Sequence, residues 1–391
     1  MRGKKPLYAA ALLLSCATGA DPSTLGRPCA TDRDCPRARC LEEQCTFSCA
    51  SDDDCLRGQR CEEVCRYGPE LDIAAVGADV TFGIPAGTSA LAITAVADAP
   101  IVFSALEGPS GPLLGTDEVR WSPSRGQEAI AMLLPSREEA LIGGRYTVAV
   151  TGVDGIPVDA AIRIRSHDAV VRGVLPLHVH IAPGLDLNAT SARDDERWIQ
   201  VQRRASAILA AANIELQVAS YDNLDARYAT LETSVGLDSD LAGAFRSTRD
   251  REPFGVHVLL VRSIDAGRVL GIAGGVPGPF ELAGTAQSGV AITYDPDVVG
   301  TDAAIPAQIL AHELGHYLGL FHNVEEGPIC TDSLPPGCVL FRDDPLDDTT
   351  GDRENLMFPT LQTFAGDRVN DALTLGQRAV LRRNPLVQEA R

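Results

Sequence analysis

One short segment constrains this chain more than any other feature. Residues 312–322 read HELGHYLGLFH and contain three of the seven histidines. Pro306 and the apolar residues around it predict a helix, on which side chains four residues apart share a face. His312 and His316 can therefore hold one metal ion, and neutral imidazoles suit Zn²⁺.

The remaining residues of this segment fit a catalytic metal site. Gly319 stands where the helix should end, and its conformational freedom allows a sharp turn that returns His322 to the ion as third ligand. Glu313 is placed to take a proton from a water molecule that the metal makes acidic. Surface or core histidines, or a purely structural metal, would explain neither Glu313 nor Gly319.

This string resembles the extended motif of the metzincin metalloproteases. That family also has a methionine turn beneath the metal, and Met357 follows Asn355 and Leu356 in the matching order. The pappalysin branch is the most similar, through DDPLDDT at 343–349, LGQR at 375–378 and GIAGGVP at 271–277. The resemblance covers about residues 174–384.

The resemblance implies a zinc endopeptidase that hydrolyses internal peptide bonds of proteins or peptides with an activated water. The expected fold is α/β (α+β), a twisted mixed sheet with an active-site helix, whose edge strand receives extended substrate. Phe358 and Pro359 follow Met357, so no tyrosine stands two positions on, and we expect three histidines plus water at the zinc. One rival is a non-catalytic metzincin-like adhesion or binding module; another limits proteolysis to self-processing.

An acidic run lies between the predicted metal helix and the methionine turn. Asp343, Asp344, Asp347 and Asp348 could supply the oxygen ligands that Ca²⁺ prefers, and pappalysin-like enzymes are known for calcium sites there. A solvated acidic loop is the alternative.

The N-terminus predicts export. Basic residues precede an apolar run at 7–14 that is too short to span a bilayer, as in a signal peptide. Residues 13–16 (LLSC) resemble the bacterial lipobox, which would make Cys16 a lipidated residue and the protein an outer-membrane or cell-surface lipoprotein. Ordinary cleavage near Ala20 would instead release a secreted, extracellular protein.

The formal net charge of -19 argues against nucleic acid as a partner, because phosphate repels an acidic surface. Contact with a membrane is expected only through the lipid anchor.

The cysteines indicate disulfides in an oxidising compartment. Eight lie between Cys29 and Cys65 in two similar blocks that are too small to be stable without cross-links, which predicts two disulfides per block with undetermined pairing. Metal binding there is less favoured because the blocks lack histidine. Cys330 and Cys338 would form a further disulfide beside the metal site.

The chain therefore divides into a signal peptide with lipobox (1–16), a linker (17–28), a disulfide-rich double repeat (29–67), a β-sandwich accessory domain (70–166) and a metzincin-like protease domain (172–391). The accessory stretch weakly resembles pre-peptidase β-domains of bacterial proteases. In the last region we predict strands at 175–181, 214–221, 256–261 and 290–294 and a helix at 192–212. The histidines at 167, 178, 180 and 257 are interpreted as structural or surface groups.

Overall fold

The structure is a computed structural model. It describes residues 28–35, 39–41, 44–46, 49–52, 55–57, 59–62, 64–67, 71–121, 127–136, 139–233, 237–324, 344–364 and 368–390. The predicted signal peptide, the lipidation at Cys16, the Cys330–Cys338 disulfide and Asp343 lie outside these residues. None of the helices in the described ranges has the length and apolar character needed to cross a bilayer.

The N-terminal double repeat consists of two small hairpins, each held by two disulfides, as predicted. In both blocks the first cysteine pairs with the third and the second with the fourth. The bonds are Cys29–Cys40, Cys35–Cys45, Cys49–Cys61 and Cys55–Cys65. The hairpin strands are β1 (Arg39–Leu41), β2 (Gln44–Thr46), β3 (Gln59–Glu62) and β4 (Val64–Tyr67).

Residues 71–166, called the accessory region below, form an antiparallel sheet with its own apolar core. The long strand β7 pairs with several others: its residues 91–96 pair with β9 and β11, and its residues 101–107 pair with β10. Burial alternates strictly along β10, as expected for a strand with one face on the core. The strands are β5 (Asp72–Gly77), β6 (Asp79–Ile84), β7 (Leu91–Gly108), β8 (Gly111–Pro112), β9 (Gln127–Leu134), β10 (Gly144–Gly152) and β11 (Ala160–Ser166).

Residues 173–390, called the metal-site region below, contain a mixed sheet in the order β13-β12-β15-β18-β17, with β21 also paired to β12. Strands β13, β12, β15 and β18 run parallel to one another. Strand β17 is antiparallel to β18, and β21 is antiparallel to β12. The strands are β12 (Gly173–Ile181), β13 (Ile214–Asn223), β14 (Thr230–Leu231), β15 (Val256–Val261), β16 (Ser263–Ile264), β17 (Gly271–Ala273), β18 (Val290–Thr293), β19 (Thr363–Phe364), β20 (Arg368–Val369) and β21 (Gln388–Glu389). The chain is thus a mixed α+β protein with several sheets.

Two helices, α1 (Glu196–Leu209) and α4 (Ala304–Tyr317), pack on one face of this sheet. The helix predicted at 192–212 begins at Glu196, because the Asp195 side chain accepts the Trp198 N–H and caps it. Trp198 is fully buried in the core. The helices are α1 (Glu196–Leu209), α2 (Asp240–Arg246), α3 (Pro296–Val299), α4 (Ala304–Tyr317) and α5 (Leu375–Arg382).

The accessory and metal-site regions share a packed interface. Ala92 and Leu133 of the accessory sheet belong to the same apolar core as α4. Ion pairs also cross between the two regions: Arg120–Asp344, Glu128–Arg246, and Arg163 and Arg165 with Glu281. The accessory region is therefore in direct contact with the elements that carry the metal-site motif.

Candidate metal centre

The helix α4 and the turn that follows it bring the three predicted histidines together. His312 and His316 lie one helical turn apart, and Gly319 takes a positive φ of 112° just beyond the helix. That turn carries His322 back towards the helix, so that ligand atoms of the three imidazoles lie within 4.8 Å of one another. The Nε2 atoms of His316 and His322 are 3.1 Å apart.

Backbone carbonyls determine which ring nitrogens can bind a metal. The Nδ1–H of His312 donates to the Leu356 carbonyl at 2.7 Å, and the Nδ1–H of His316 donates to the Leu320 carbonyl at 2.8 Å. Because a carbonyl oxygen can only accept, both Nε2 atoms keep their lone pairs, the arrangement usual for metal-binding histidines.

Burial keeps these imidazoles neutral. It lowers the pKa of His312 to about 4, with a further contribution from His322. Burial likewise holds the pKa of His316 well below its ordinary value, and the neighbouring His322 and His312 lower it further. Neutral imidazole is the form that binds a metal ion.

Met357, the residue predicted to form a methionine turn, packs against Gly315 of α4, between His312 and His316 in the sequence. A Cβ atom on Gly315 of α4 would come within 2.7 Å of the Met357 sulfur, so this glycine permits the close approach. The Asn355 side chain accepts the Met357 N–H at 2.9 Å and is held in turn by Gln377 of α5. The same turn presents the carbonyl that orients His312.

Glu313 lies next to the first histidine and faces the edge strand β17. The residue is buried, with 7% of its surface exposed. Burial raises the pKa of Glu313 to about 8, although a hydrogen bond from the Ala273 backbone opposes this change. A Cβ atom on Gly271 would lie 2.5 Å from the Glu313 Oε1 atom, so the strand passes directly over the carboxyl.

A cleft of about 380 Å³ opens at this carboxyl. Its walls are residues 268–271 leading into β17, the Gln308–Glu313 part of α4, and residues 358–361 after Met357. The cleft therefore places Glu313, His312 and an edge strand around one space that can accept a chain segment.

The aspartates of the acidic run make separate contacts. Asp344 is buried and pairs with Arg120 at 2.7 Å, so the expectation of a solvated loop is wrong for this residue. Asp348 accepts hydrogen bonds from Thr374 and from the Gly376 N–H at the start of α5. In the part of the chain that the structure describes, Asp344, Asp347 and Asp348 belong to no convergent group of metal-binding side chains.

A second histidine trio lies on the opposite face of the sheet. His178 and His180 of β12 and His257 of β15 are all buried. The His180 Nε2 and His257 Nδ1 atoms are 2.9 Å apart. The sequence indicated structural or surface groups, and the structure places these three in the interior, where the parallel register that pairs His178 with His257 brings them together.

Comparison with known proteins gives little beyond this geometry. No sequence family and no curated protein matches the chain. Of the solved structures, 87 chains match, among them metalloproteinase-II from Bacteroides fragilis, with 14% identity and a TM-score of 0.32. That match covers 56% of this chain and 62% of the Bacteroides protein, so this chain spans less than two thirds of its length.

Proposed function

We propose that this protein is a zinc-dependent endopeptidase of the metzincin type, close to the pappalysin branch. The observation that carries the proposal is the convergence of His312, His316 and His322, together with a cleft that is lined by His312 and the buried Glu313. Three imidazoles suit Zn²⁺ and leave a position free for water, the donor set of a catalytic rather than a structural zinc.

The side chains around the cleft then have distinct roles. Zinc bound to the three imidazoles would make a water molecule nucleophilic near neutral pH. Glu313 lies next to the first ligand, where its carboxylate can receive the proton of that water and deliver it to the departing amine. Leu356 and Leu320 hold two of the imidazoles in the tautomer that binds the metal.

The edge strand β17 supplies the docking site for substrate. It lies at the end of the sheet order, antiparallel to β18, and it borders the cleft. An extended protein or peptide segment can add to such an edge through backbone hydrogen bonds, which places a peptide bond over the histidines.

The location of this activity would be outside the cytoplasm. Four disulfides in the N-terminal repeat fit an extracellular or secreted protein. The proposal also includes lipidation at Cys16, a Cys330–Cys338 disulfide and a β-sandwich arrangement of the accessory region. It does not include a calcium site in the acidic run, because Asp344 is paired with Arg120 and Asp348 caps the start of α5.

The proposal is tested by peptide-library hydrolysis with wild type, Glu313→Gln and the charge-matched surface variant Glu215→Gln. Loss of the general base should lower kcat/KM by about 10²–10⁴-fold. Zinc content should be the same in all three proteins, and Glu215→Gln should cleave like wild type. A zinc chelator should abolish cleavage.

Two outcomes would contradict the proposal. Cleavage that survives both the chelator and Glu313→Gln would place the activity elsewhere or in a contaminant. A wild type that binds zinc yet cleaves no peptide in the library would favour the non-catalytic binding module.

A further inference from the structure

One buried arginine connects the accessory region to the turn that carries His322. Arg120 precedes β9 and is completely shielded from solvent, as is the Asp344 side chain that it meets. One terminal nitrogen donates to the Asp344 carboxylate at 2.7 Å, and the other donates to the Gly319 carbonyl at 3.1 Å. The guanidinium carbon also lies 5.8 Å from the centre of the Phe321 ring.

These contacts surround the main chain of the third histidine. Gly319 and Phe321 belong to the turn that leads into His322. On the other side, the Asp344 N–H donates to the His322 carbonyl at 2.9 Å. A single side chain from the accessory region therefore touches the segments on both sides of His322.

His322 needs such support more than the other two histidines. His312 and His316 are fixed by the hydrogen bonds of α4, whereas His322 follows the helix and lies in neither helix nor strand. Its position relative to the other imidazoles depends on the turn and on the Asp344 N–H that its carbonyl accepts. A displacement of that turn by a few tenths of an ångström would change the distance between the imidazoles.

We propose that Arg120 is a positioning residue for the metal centre. Through this side chain, the accessory region holds the turn that carries His322, in addition to packing against the metal-site region. This inference depends on the proposed function only in that the three histidines bind a metal. It does not depend on turnover.

The other ion pairs between the two regions show why Arg120 differs. Arg163 meets Glu281, and its side chain remains 40% exposed. Within the residues that the structure describes, neither Arg163 nor Glu281 forms an ion pair with the His322 turn. A pair that only fastened the regions together would not require a donor aimed at a carbonyl of the turn, and the planar guanidinium is suited to serve two acceptors at once.

The test uses the full-length protein and three variants. Arg120→Lys keeps the charge opposite Asp344 but cannot reproduce the two-pronged donation. The double variant Arg120→Met with Asp344→Leu removes both charges, so no unpaired charge is left buried. Arg163→Met is the control, since it removes a contact between the same two regions far from the turn.

Zinc affinity is measured by competition with a chromophoric chelator, and the ligand geometry by the absorption spectrum of the cobalt-substituted protein. Circular dichroism checks folding. We expect zinc binding to weaken about 10-fold or more in Arg120→Lys and in the double variant, comparable to losing a group that orients a metal ligand. The cobalt spectrum should change in both, and Arg163→Met should match wild type.

A folded double variant with wild-type zinc affinity and an unchanged cobalt spectrum would overturn the proposal. If the double variant does not fold, wild-type zinc affinity and an unchanged cobalt spectrum in Arg120→Lys would overturn the proposal. A wild type that binds no zinc would refute the metal centre itself. A wild type that binds zinc without cleaving peptides would refute only the protease, and the Arg120 test would still apply.

Discussion

The metal-site region contains two trios of histidines that differ in how their nitrogens are used: the strand trio is fully buried, whereas the trio on α4 and its turn is partly exposed. In the trio on α4 and its turn, two Nδ1–H groups donate to carbonyls and the Nε2 atoms converge. In the strand trio, the His257 Nε2–H donates to the Glu252 carbonyl, so its Nδ1 accepts from His180. His178 likewise donates to the Phe254 carbonyl and accepts from Ser220.

The difference teaches that neither burial nor the number of histidines makes a metal site. Desolvation lowers the pKa of His312 and His316 in one trio, and it lowers the pKa to about 4 for His180 and about 3 for His257 in the other. The lone pairs of His178 and His257 are engaged within the protein, whereas those of His312 and His316 point at a common space. Secondary structure produces this contrast, because a helix followed by a glycine turn aims side chains inward, and parallel strands place them side by side.

The largest expected effect is the loss of zinc on altering one trio but not the other. His316→Gln should weaken zinc binding by more than the about 10–100-fold that loss of a ligand-orienting group costs. His257→Gln makes the same chemical change and should leave zinc binding at the wild-type level. Metal analysis after dialysis checks both; equal zinc loss in the two variants would break the comparison.

A smaller effect is expected in the dependence of stability on pH. Because the pKa values of His180 and His257 are lowered in the folded state, the unfolded state binds more protons once the pH falls below about 6.5. Stability is therefore fully present above that pH and declines towards pH 4. Between pH 7 and 5.5 the loss should be about 1 kcal/mol per histidine.

Urea unfolding of wild type and of the His180→Gln, His257→Gln double variant at the two pH values measures this difference. The variant should lose less stability on acidification, while titration of all other groups is common to both proteins. Identical losses would show that the strand trio does not resist protonation.

The smallest expected effect concerns the hydroxyl that holds His178. Ser220→Ala removes the partner of the His178 Nδ1 atom, 2.9 Å away, and should destabilise the protein by about 1 kcal/mol. Ser220→Thr keeps a hydroxyl and should restore most of that loss. Zinc binding should be unchanged in both, and a fall in zinc affinity would mean that the two trios are coupled through the sheet.

Features that depend on near neighbours in the chain could be predicted from the sequence. The spacing of His312, Gly319 and His322 indicated the convergence of the trio, because helix geometry and one turn determine it. The strand predicted at 256–261 is the observed β15, and β12 and β13 extend the predicted strands by a few residues. The helix limit was wrong at its start because Asp195 was not recognised as a cap.

Features that depend on distant pairing could not be predicted. Arg120 meets residues 199 and 224 positions further along the chain. No local pattern marks this arginine, since its surroundings indicate only a β-rich region. The contact of His180 with His257, 77 residues apart, likewise follows from the register between β12 and β15. The burial of Asp344 could not be predicted either, because its partner Arg120 lies in another region.

The glycine over Glu313 has a consequence for how this sequence can vary. Any β-carbon at position 271 would occupy the space of the Glu313 side chain, and one at position 278 would overlap the Tyr317 ring. Mutational drift along this segment should therefore leave both glycines invariant. In a deep mutational scan, position 271 should tolerate substitution for folding only when Ile309 and Glu313 are both shortened. Because Glu313 is the proposed general base, a variant that folds with a side chain at position 271 should be inactive.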